Sequence, residues 1–236
     1  MIRFYAPDLA ETLTLPESDS GHCVRVLRMS PGDEIEVVDG RGHLHRCVLT
    51  GAHPKHATVN IVATEDLPKV WTPSITIAVA PTKHNDRMEW LVEKLVEIGV
   101  DRIVPLRCRY SERKDLNIDR ITKIAVSAMK QSLKAVLPRI DPMTPLRDFL
   151  AEPHPVGRYI AYCDPSIPRR LYARELAPGS DTVVLIGPEG DFSHEEITEA
   201  LDRRWQPVTL GDNRLRTETA ALVACDTFQI INQLHQ

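Results

Sequence analysis

Two segments concentrate the residue types that chemistry needs. Ile186-Gly187-Pro188-Glu189-Gly190-Asp191-Phe192 and Leu210-Gly211-Asp212-Asn213-Arg214-Leu215-Arg216-Thr217-Glu218-Thr219-Ala220 each follow a run with strand character, and each joins glycine to carboxylates or arginines. At the carboxyl edge of an open α/β sheet such loops bind ligands, and a glycine there removes a Cβ from the path of an approaching molecule. The Walker pattern Gly-x-x-x-x-Gly-Lys-Ser/Thr and the dinucleotide pattern Gly-x-Gly-x-x-Gly do not occur. Glu189 and Asp191 would also repel a polyphosphate held at a helix N-terminus. A neutral or cationic cofactor suits these loops. The competing explanation is that the two acids only complement the dipole of the helix that follows Ser193.

Other chemistries find less support. There is no Gly-x-Ser-x-Gly elbow, and His22, His43, His45, His53 and His56 lie in the first quarter of the chain without a helical metal-ligand pair, so no metal is expected. Cys23, Cys47, Cys108, Cys163 and Cys225 form no Cys-x-x-Cys pair and read as free thiols.

The elements that must position the two loops follow from hydrophobic periodicity. Up to residue 70 the chain reads as short strands over 2–6, 34–39, 44–50 and 57–64, with a helix over 18–29 stopped by Pro31-Gly32. Asp39-Gly40-Arg41-Gly42 is a hairpin signal, because Asp-Gly supplies the positive φ of a tight turn. Residues 66–73, with Pro68 and Pro73, read as a linker. From Ser74 strands and helices alternate. Strands are expected over 75–80, 102–106, 158–162, 182–186 and 207–210, and helices over 84–98, 117–134, 193–201 and from Thr217 to about Leu234. Ser193 and Glu196 have capping-box spacing. This alternation predicts an α/β domain with a mostly parallel sheet. The last helix carries two apolar stripes, Ala221, Ala224, Cys225 and Phe228 on one and Val223, Ile230 and Leu234 on the other. Burial inside the chain and a subunit contact both explain this pattern.

The 236 residues are 42% hydrophobic and 26% charged, an ordinary globular composition long enough for two domains. No stretch approaches a membrane span, Met1 to Pro7 lacks the regions of a signal peptide, and a cytoplasmic location is expected. The net charge of −4 argues against a nucleic-acid partner until it is divided along the chain. Residues 1–70 hold seven basic and ten acidic side chains, 82–140 thirteen and eight, and 141–236 nine and fifteen, so one central stretch is basic within an acidic protein.

Gly187-Pro188-Glu189-Gly190, followed by Leu210-Gly211 and Leu215-Arg216-Thr217-Glu218-Thr219-Ala220, resembles the cofactor signature of the RsmE family of SPOUT RNA methyltransferases. His22-Cys23-Val24-Arg25-Val26-Leu27-Arg28, Lys83, the segment Lys94 to Val100, and Gln131-Ser132 with Pro138 resemble further motifs of that family in order. The resemblance implies a PUA-like RNA-binding β-barrel over residues 1–70, and over 74–236 a SPOUT methyltransferase domain whose chain end threads a deep trefoil knot. It implies a homodimer with cofactor sites near the interface. It also implies S-adenosylmethionine as cofactor, and methylation of N3 of one uridine of 16S ribosomal RNA, near the decoding site of the assembled small subunit.

On these grounds Ile186, Gly187, Gly190, Leu210, Gly211, Leu215, Arg216, Thr217 and Ala220 are the expected cofactor residues. Arg216, Glu189 and Glu218 are the expected catalytic residues. An ion pair of Arg216 with Glu189 or Glu218 is the structural alternative. RNA contacts are expected from His22, Arg25 and Arg28 in the first domain and from Lys83, Arg87, Arg107, Arg109, Arg113, Lys114, Lys130 and Lys134 in the basic stretch. Asp191 stands where many relatives have Gly, Asn213-Arg214 replaces a commoner Arg-Ile pair, and Lys134 a commoner Arg. A SPOUT enzyme acting on a ribose 2′ oxygen, or a non-catalytic ribosome-assembly factor that binds RNA, are the competing functions.

Overall fold

The computed structural model describes residues 2–70, 72–164 and 167–235. Met1 and Trp71, which the sequence reading placed at the chain start and in the linker, lie outside them. The chain divides into two units, Met1–Val70 with Val126–Leu137, and Trp71–Ala125 with Pro138–Gln236.

The small unit is built on β1 (Arg3–Tyr5), α1 (Leu9–Thr12), α2 (Glu17–Gly21), β2 (Glu34–Val38), β3 (His43–Gly51) and β4 (Thr58–Asp66). Its sheet runs β1-β2-β3-β4, with β1 parallel to β2 and the other pairs antiparallel. Period-two alternation puts Ile35, Val37, Cys47, Leu49 and Val59 in one core with Phe4, Leu9 and Leu15. The expected hairpin is present. Gly40 and Gly42 have φ of 80° and 106°, and the Asp39 carboxylate accepts from the amides of Arg41 (2.7 Å) and His43 (3.1 Å).

The single helix expected over 18–29 is instead α2 continued by a π-helical turn, His22–Val26. The wider turn seats Cys23 in the core and packs Val24 and Leu27 against it, and Arg28 at φ 56° ends the element before Pro31.

The larger unit contains β5 (Ile75–Val79), α3 (Asn85–Ile98), β6 (Arg102–Arg107), the part of α4 (Ile118–Gln131) up to Ala125, β7 (Arg139–Ile140), β8 (Thr144–Pro145), α5 (Leu146–Ala151), β9 (Gly157–Ala161), β10 (Arg170–Leu171), α6 (Tyr172–Glu175), β11 (Thr182–Ile186), α7 (His194–Asp202), β12 (Gln206–Thr209) and α8 (Thr217–Leu234). The sheet order is β10-β12-β9-β11-β5-β6-β7, with β8 also on β6, and every pairing is parallel. Every residue of β11 is buried between β9 and β5, as its β-branched run requires. Gly99 at φ 118° closes α3, and Ser193 caps α7 with both bonds of a capping box.

After β12 on one side of β9, α8 returns to pack on α3 and β5 near the other side. Gln229 donates to the Gly99 carbonyl (2.6 Å) and Asn232 accepts from the Gly179 amide (2.9 Å), which anchors the inner stripe of α8. Its other stripe leaves Ile230 and Leu234 exposed.

A segment placed by the sequence reading inside the second domain packs with the first. In the small unit, Gly42 donates to the Ala135 carbonyl (3.0 Å), Leu137 to the Gly40 carbonyl (2.9 Å), and Lys130 meets the buried Asp19 carboxylate at 2.7 Å. Among the described residues no helix is long and apolar enough to cross a membrane.

Candidate active site

Parallel pairing throughout the large sheet brings the carboxyl ends of β9, β11 and β12 to one edge, where their loops enclose a cleft of about 990 Å³. Ile186, Gly187, Leu210, Gly211, Leu215, Arg216, Thr217 and Ala220 all line it, so eight of the nine expected cofactor residues converge there from two loops. Thr217 donates to the Gly187 carbonyl at 3.2 Å and ties those loops together. Gly190 does not line the cleft. A Cβ on Gly190 would lie 3.3 Å from the Tyr110 Cβ, so its small size serves the neighbouring loop after β6. Gly187 lacks its Cβ for a related reason, because that atom would stand 3.0 Å from the Phe192 ring. Gly211, at φ 133°, occupies backbone space that favours glycine.

A third wall was not anticipated. Tyr162, Cys163, Asp164, Ile167 and Arg169, after β9, complete the cleft. The sequence did hold a signal for it, since the strand expected over 158–162 ends at the same sheet edge. Burial pushes the Tyr162 phenol above its ordinary pKa, and its hydroxyl has no hydrogen-bond partner among the described residues.

Asp191 joins this wall to the β11 loop. It adopts φ 66°, a left-handed conformation that glycine would take freely, and its carboxylate accepts from the amides of Cys163 (2.8 Å) and Phe192 (2.9 Å). Asp191 thus both makes the turn and clamps it.

The three expected catalytic residues are placed differently from one another. Arg216 is the exposed N-cap of α8, lines the cleft and has no ion pair among the described residues. Glu189 is exposed and also lines the cleft. Glu218 does not line it. That side chain is buried, with Oε1 3.8 Å from Arg87 Nη1 and Oε2 lacking a hydrogen-bond partner. The same Arg87 Nη1 lies 3.6 Å from Glu189 Oε1. Arg87 of α3, rather than Arg216, therefore faces both acids, and Arg216 keeps an uncompensated charge.

The expected RNA residues separate by their neighbours. Lys83 meets Glu112 at 2.9 Å, and that hydrogen bond raises its pKa. Arg113 donates to the carbonyls of Thr82 (3.2 Å) and Lys83 (2.7 Å), and Lys130 pairs with Asp19 inside the small unit. Lys134 is half-buried at the end of the turn after α4. Arg107, Arg109 and Lys114 are exposed without ion pairs among the described residues, as are Arg25 and Arg28 in the small unit. His22 is exposed there beside the Phe4 ring. Among the described residues no three His, Cys, Asp or Glu side chains group as metal ligands.

Comparison with known proteins places these features in context. Residues 71–229 match the model of the RNA methyltransferase domain, and residues 15–62 that of the RNA methyltransferase PUA domain. The structure is similar to a probable rRNA-methyltransferase from Porphyromonas gingivalis, with 44% identity, all of both chains covered and a TM-score of 0.94. It is also similar to a ribosomal RNA small subunit methyltransferase E from Neisseria gonorrhoeae bound to S-adenosyl methionine, with 28% identity over 98% of both chains and a TM-score of 0.85. A curated relative from Mycobacterium bovis, ribosomal RNA small subunit methyltransferase E, is 29% identical over 94% of this chain and 88% of its own length.

Proposed function

This chain belongs to the RsmE family of RNA methyltransferases, and from that premise we propose that it transfers a methyl group from S-adenosylmethionine to N3 of one uridine of 16S ribosomal RNA near the decoding site. The observation that carries this reading is the cleft at the carboxyl edge, into which the loops after β11 and β12 bring eight of the residues expected to hold the cofactor. Its size suits a nucleoside ligand, being at the upper end of the roughly 300–1,000 Å³ of small-molecule sites. Ile186, Val208, Leu210, Leu215 and Ala220 offer apolar contacts for a purine, and Glu189, Asp164 and Asp212 offer carboxylates to a cationic group. Those carboxylates suit a sulfonium, and Arg169, Arg214 and Arg216 line the same cleft.

S-adenosylmethionine, when bound, supplies an electrophilic methyl group. Uridine N3 forms the new N–C bond as the S–C bond breaks, and the N3 proton must leave. Alignment and exclusion of water fall to the three loops of the cleft. Arg216, with no carboxylate to neutralise it, stabilises the charge that accumulates on the uracil oxygens. Glu189, the acid inside the cleft, accepts the proton or orients the cofactor's cationic groups. Glu218, enclosed behind it, holds Arg87, and Arg87 in turn fixes Glu189.

Arg107, Arg109 and Lys114 bind phosphates of the RNA in the assembled small subunit, with Arg25, Arg28 and His22 as a second contact, while the target base is drawn into the cleft. A second copy of the chain covers the exposed stripe of α8 at Ile230 and Leu234. Calorimetry tests the cofactor assignment. S-adenosylmethionine should bind the purified protein without metal or phosphate, and binding of ATP or NAD in its place would refute it. The pair Arg107→Glu with Arg109→Glu should weaken binding to the small subunit and leave cofactor affinity intact. Equal loss of both would contradict the RNA assignment.

A further inference from the structure

We propose that Tyr110 is a stacking platform for a nucleobase of the RNA substrate beside the cleft, an inference that rests on the RNA methyltransferase reading above. The loop after β6 leaves the sheet at the same edge as the three cleft loops and is held from several sides. Cys108 is buried, its amide donates to Ser111 Oγ (3.0 Å), and Ser111 donates back to the Cys108 carbonyl (3.2 Å). The Arg109 amide donates to Glu196 Oε1 at 2.8 Å, Arg113 donates to the carbonyls of Thr82 and Lys83, and Glu112 meets Lys83.

A loop buttressed this way still presents Tyr110 with half of its surface, 51%, to solvent. Its ring is mostly apolar and held in place by the loop, so a flat partner gains contact area by covering it. Its Cβ sits against Gly190, which places the ring next to the Gly187–Gly190 turn of the cofactor site.

The charge around the ring selects the partner. Elsewhere in the basic stretch Lys83, Arg87, Lys94, Arg102, Arg120 and Lys130 face carboxylates. Arg107, Arg109 and Lys114, on either side of Tyr110, are exposed without ion pairs among the described residues, although Arg109 is near enough to Glu195 to help lower the pKa of that carboxyl. Exposed cations flanking one exposed aromatic ring form the arrangement that binds an unpaired nucleotide, with phosphates on the cations and the base on the ring. Drawing a uridine out of its surroundings unstacks a neighbouring base, and Tyr110 offers that base a replacement surface at the mouth of the cleft.

The test compares Tyr110→Ala, Tyr110→Phe and Tyr110→Trp in the full-length protein. Three readouts are taken: S-adenosylmethionine affinity by calorimetry, binding to small subunits that lack the modification, and kcat/KM for their methylation. Tyr110→Ala should lower subunit affinity and kcat/KM by about 10- to 100-fold, the range of one base on one ring, with cofactor affinity within about 2-fold of wild type. Phe and Trp should restore both to within about 3-fold. The platform is overturned if Tyr110→Ala is unchanged, if Tyr110→Phe is as impaired as Tyr110→Ala, or if cofactor affinity falls by the same factor as subunit affinity. A wild-type protein that binds the cofactor but methylates no small subunit would overturn the underlying function, and the platform with it.

Discussion

Gly187→Ala separates two reasons for a glycine in the cofactor turn. A Cβ at this position would lie 3.0 and 3.1 Å from two ring carbons of Phe192 and 3.2 Å from its amide nitrogen, whereas ordinary contacts begin near 3.4 Å. About 0.4 Å must therefore be found. Phe192 cannot yield it easily, since it is buried in the core with Ile160, Ile197 and Trp205 and directly precedes the capping residue Ser193. Overpacking of a core costs about 1–3 kcal/mol, and opposition from both ring and backbone puts this substitution near 2 kcal/mol. For a chain of this size that is a fall of about 4–8 °C in the melting temperature. Differential scanning calorimetry of Gly187→Ala, Phe192→Leu and the double variant measures it. The double variant should be more stable than the sum of the single changes implies, by at least about 1 kcal/mol, because the smaller side chain releases the clash. Additive costs, or Gly187→Ala melting within about 1 °C of wild type with weakened cofactor binding, would show that the glycine makes room for ligand and not for Phe192.

Arg216→Ala should reduce methyl transfer by about 100-fold or more while the fold and melting temperature are kept, because it removes a cation that lines the cleft without an ion pair among the described residues; a near wild-type rate would make Arg216 structural. Cys163 is the exposed thiol among five, and it lines the cleft. One equivalent of a thiol reagent should therefore react quickly with native protein and be slowed by S-adenosylmethionine, and unchanged kinetics with the cofactor would move the binding site elsewhere.

The His43 ring lies 2.6 Å from the Asp39 carboxylate, whose hydrogen bond raises the His43 pKa above the ordinary 6.5. The support this pair lends the hairpin is present at lower pH and is lost as pH rises through the raised value. Burial alone would raise Asp39, but the His43 ring and the amides of Arg41 and His43 outweigh it and hold Asp39 below the ordinary carboxylate value. That contribution is present above the ordinary value and is lost as pH falls through the lowered one. A nuclear magnetic resonance titration of His43 with a midpoint at or below 6.5 would refute the pairing.

Much of this arrangement was legible in residue order. The β-branched run Thr182–Ile186, the Ser193–Glu196 spacing and the glycines after both strands are local signals, and each sits where its chemistry requires. The residues that escaped reading depend on distant partners. Arg87 looked like one more cation of a basic stretch, but the fold of α3 against α8 turns it toward Glu189 and Glu218. The pairing of residues 135–137 with the hairpin at Gly40 and Gly42 joins segments about a hundred positions apart, and no periodicity announces it. The π-helical turn at His22–Val26 escaped for another reason, because α and π periods differ too little over five residues. The basic stretch likewise changed meaning, since ion pairs within each unit take up many of its cations and leave Lys123 and the loop around Tyr110 as accessible parts of it in the larger unit.

The central claim is that the cleft delivers a methyl group to a base nitrogen of ribosomal RNA. It is tested most directly by incubating the protein and isotopically labelled S-adenosylmethionine with small subunits that lack the modification, then locating the label by mass spectrometry of the digested 16S RNA. The account predicts one label per subunit, on N3 of a single uridine near the decoding site. Label on a ribose 2′ oxygen, or none despite bound cofactor, would contradict it.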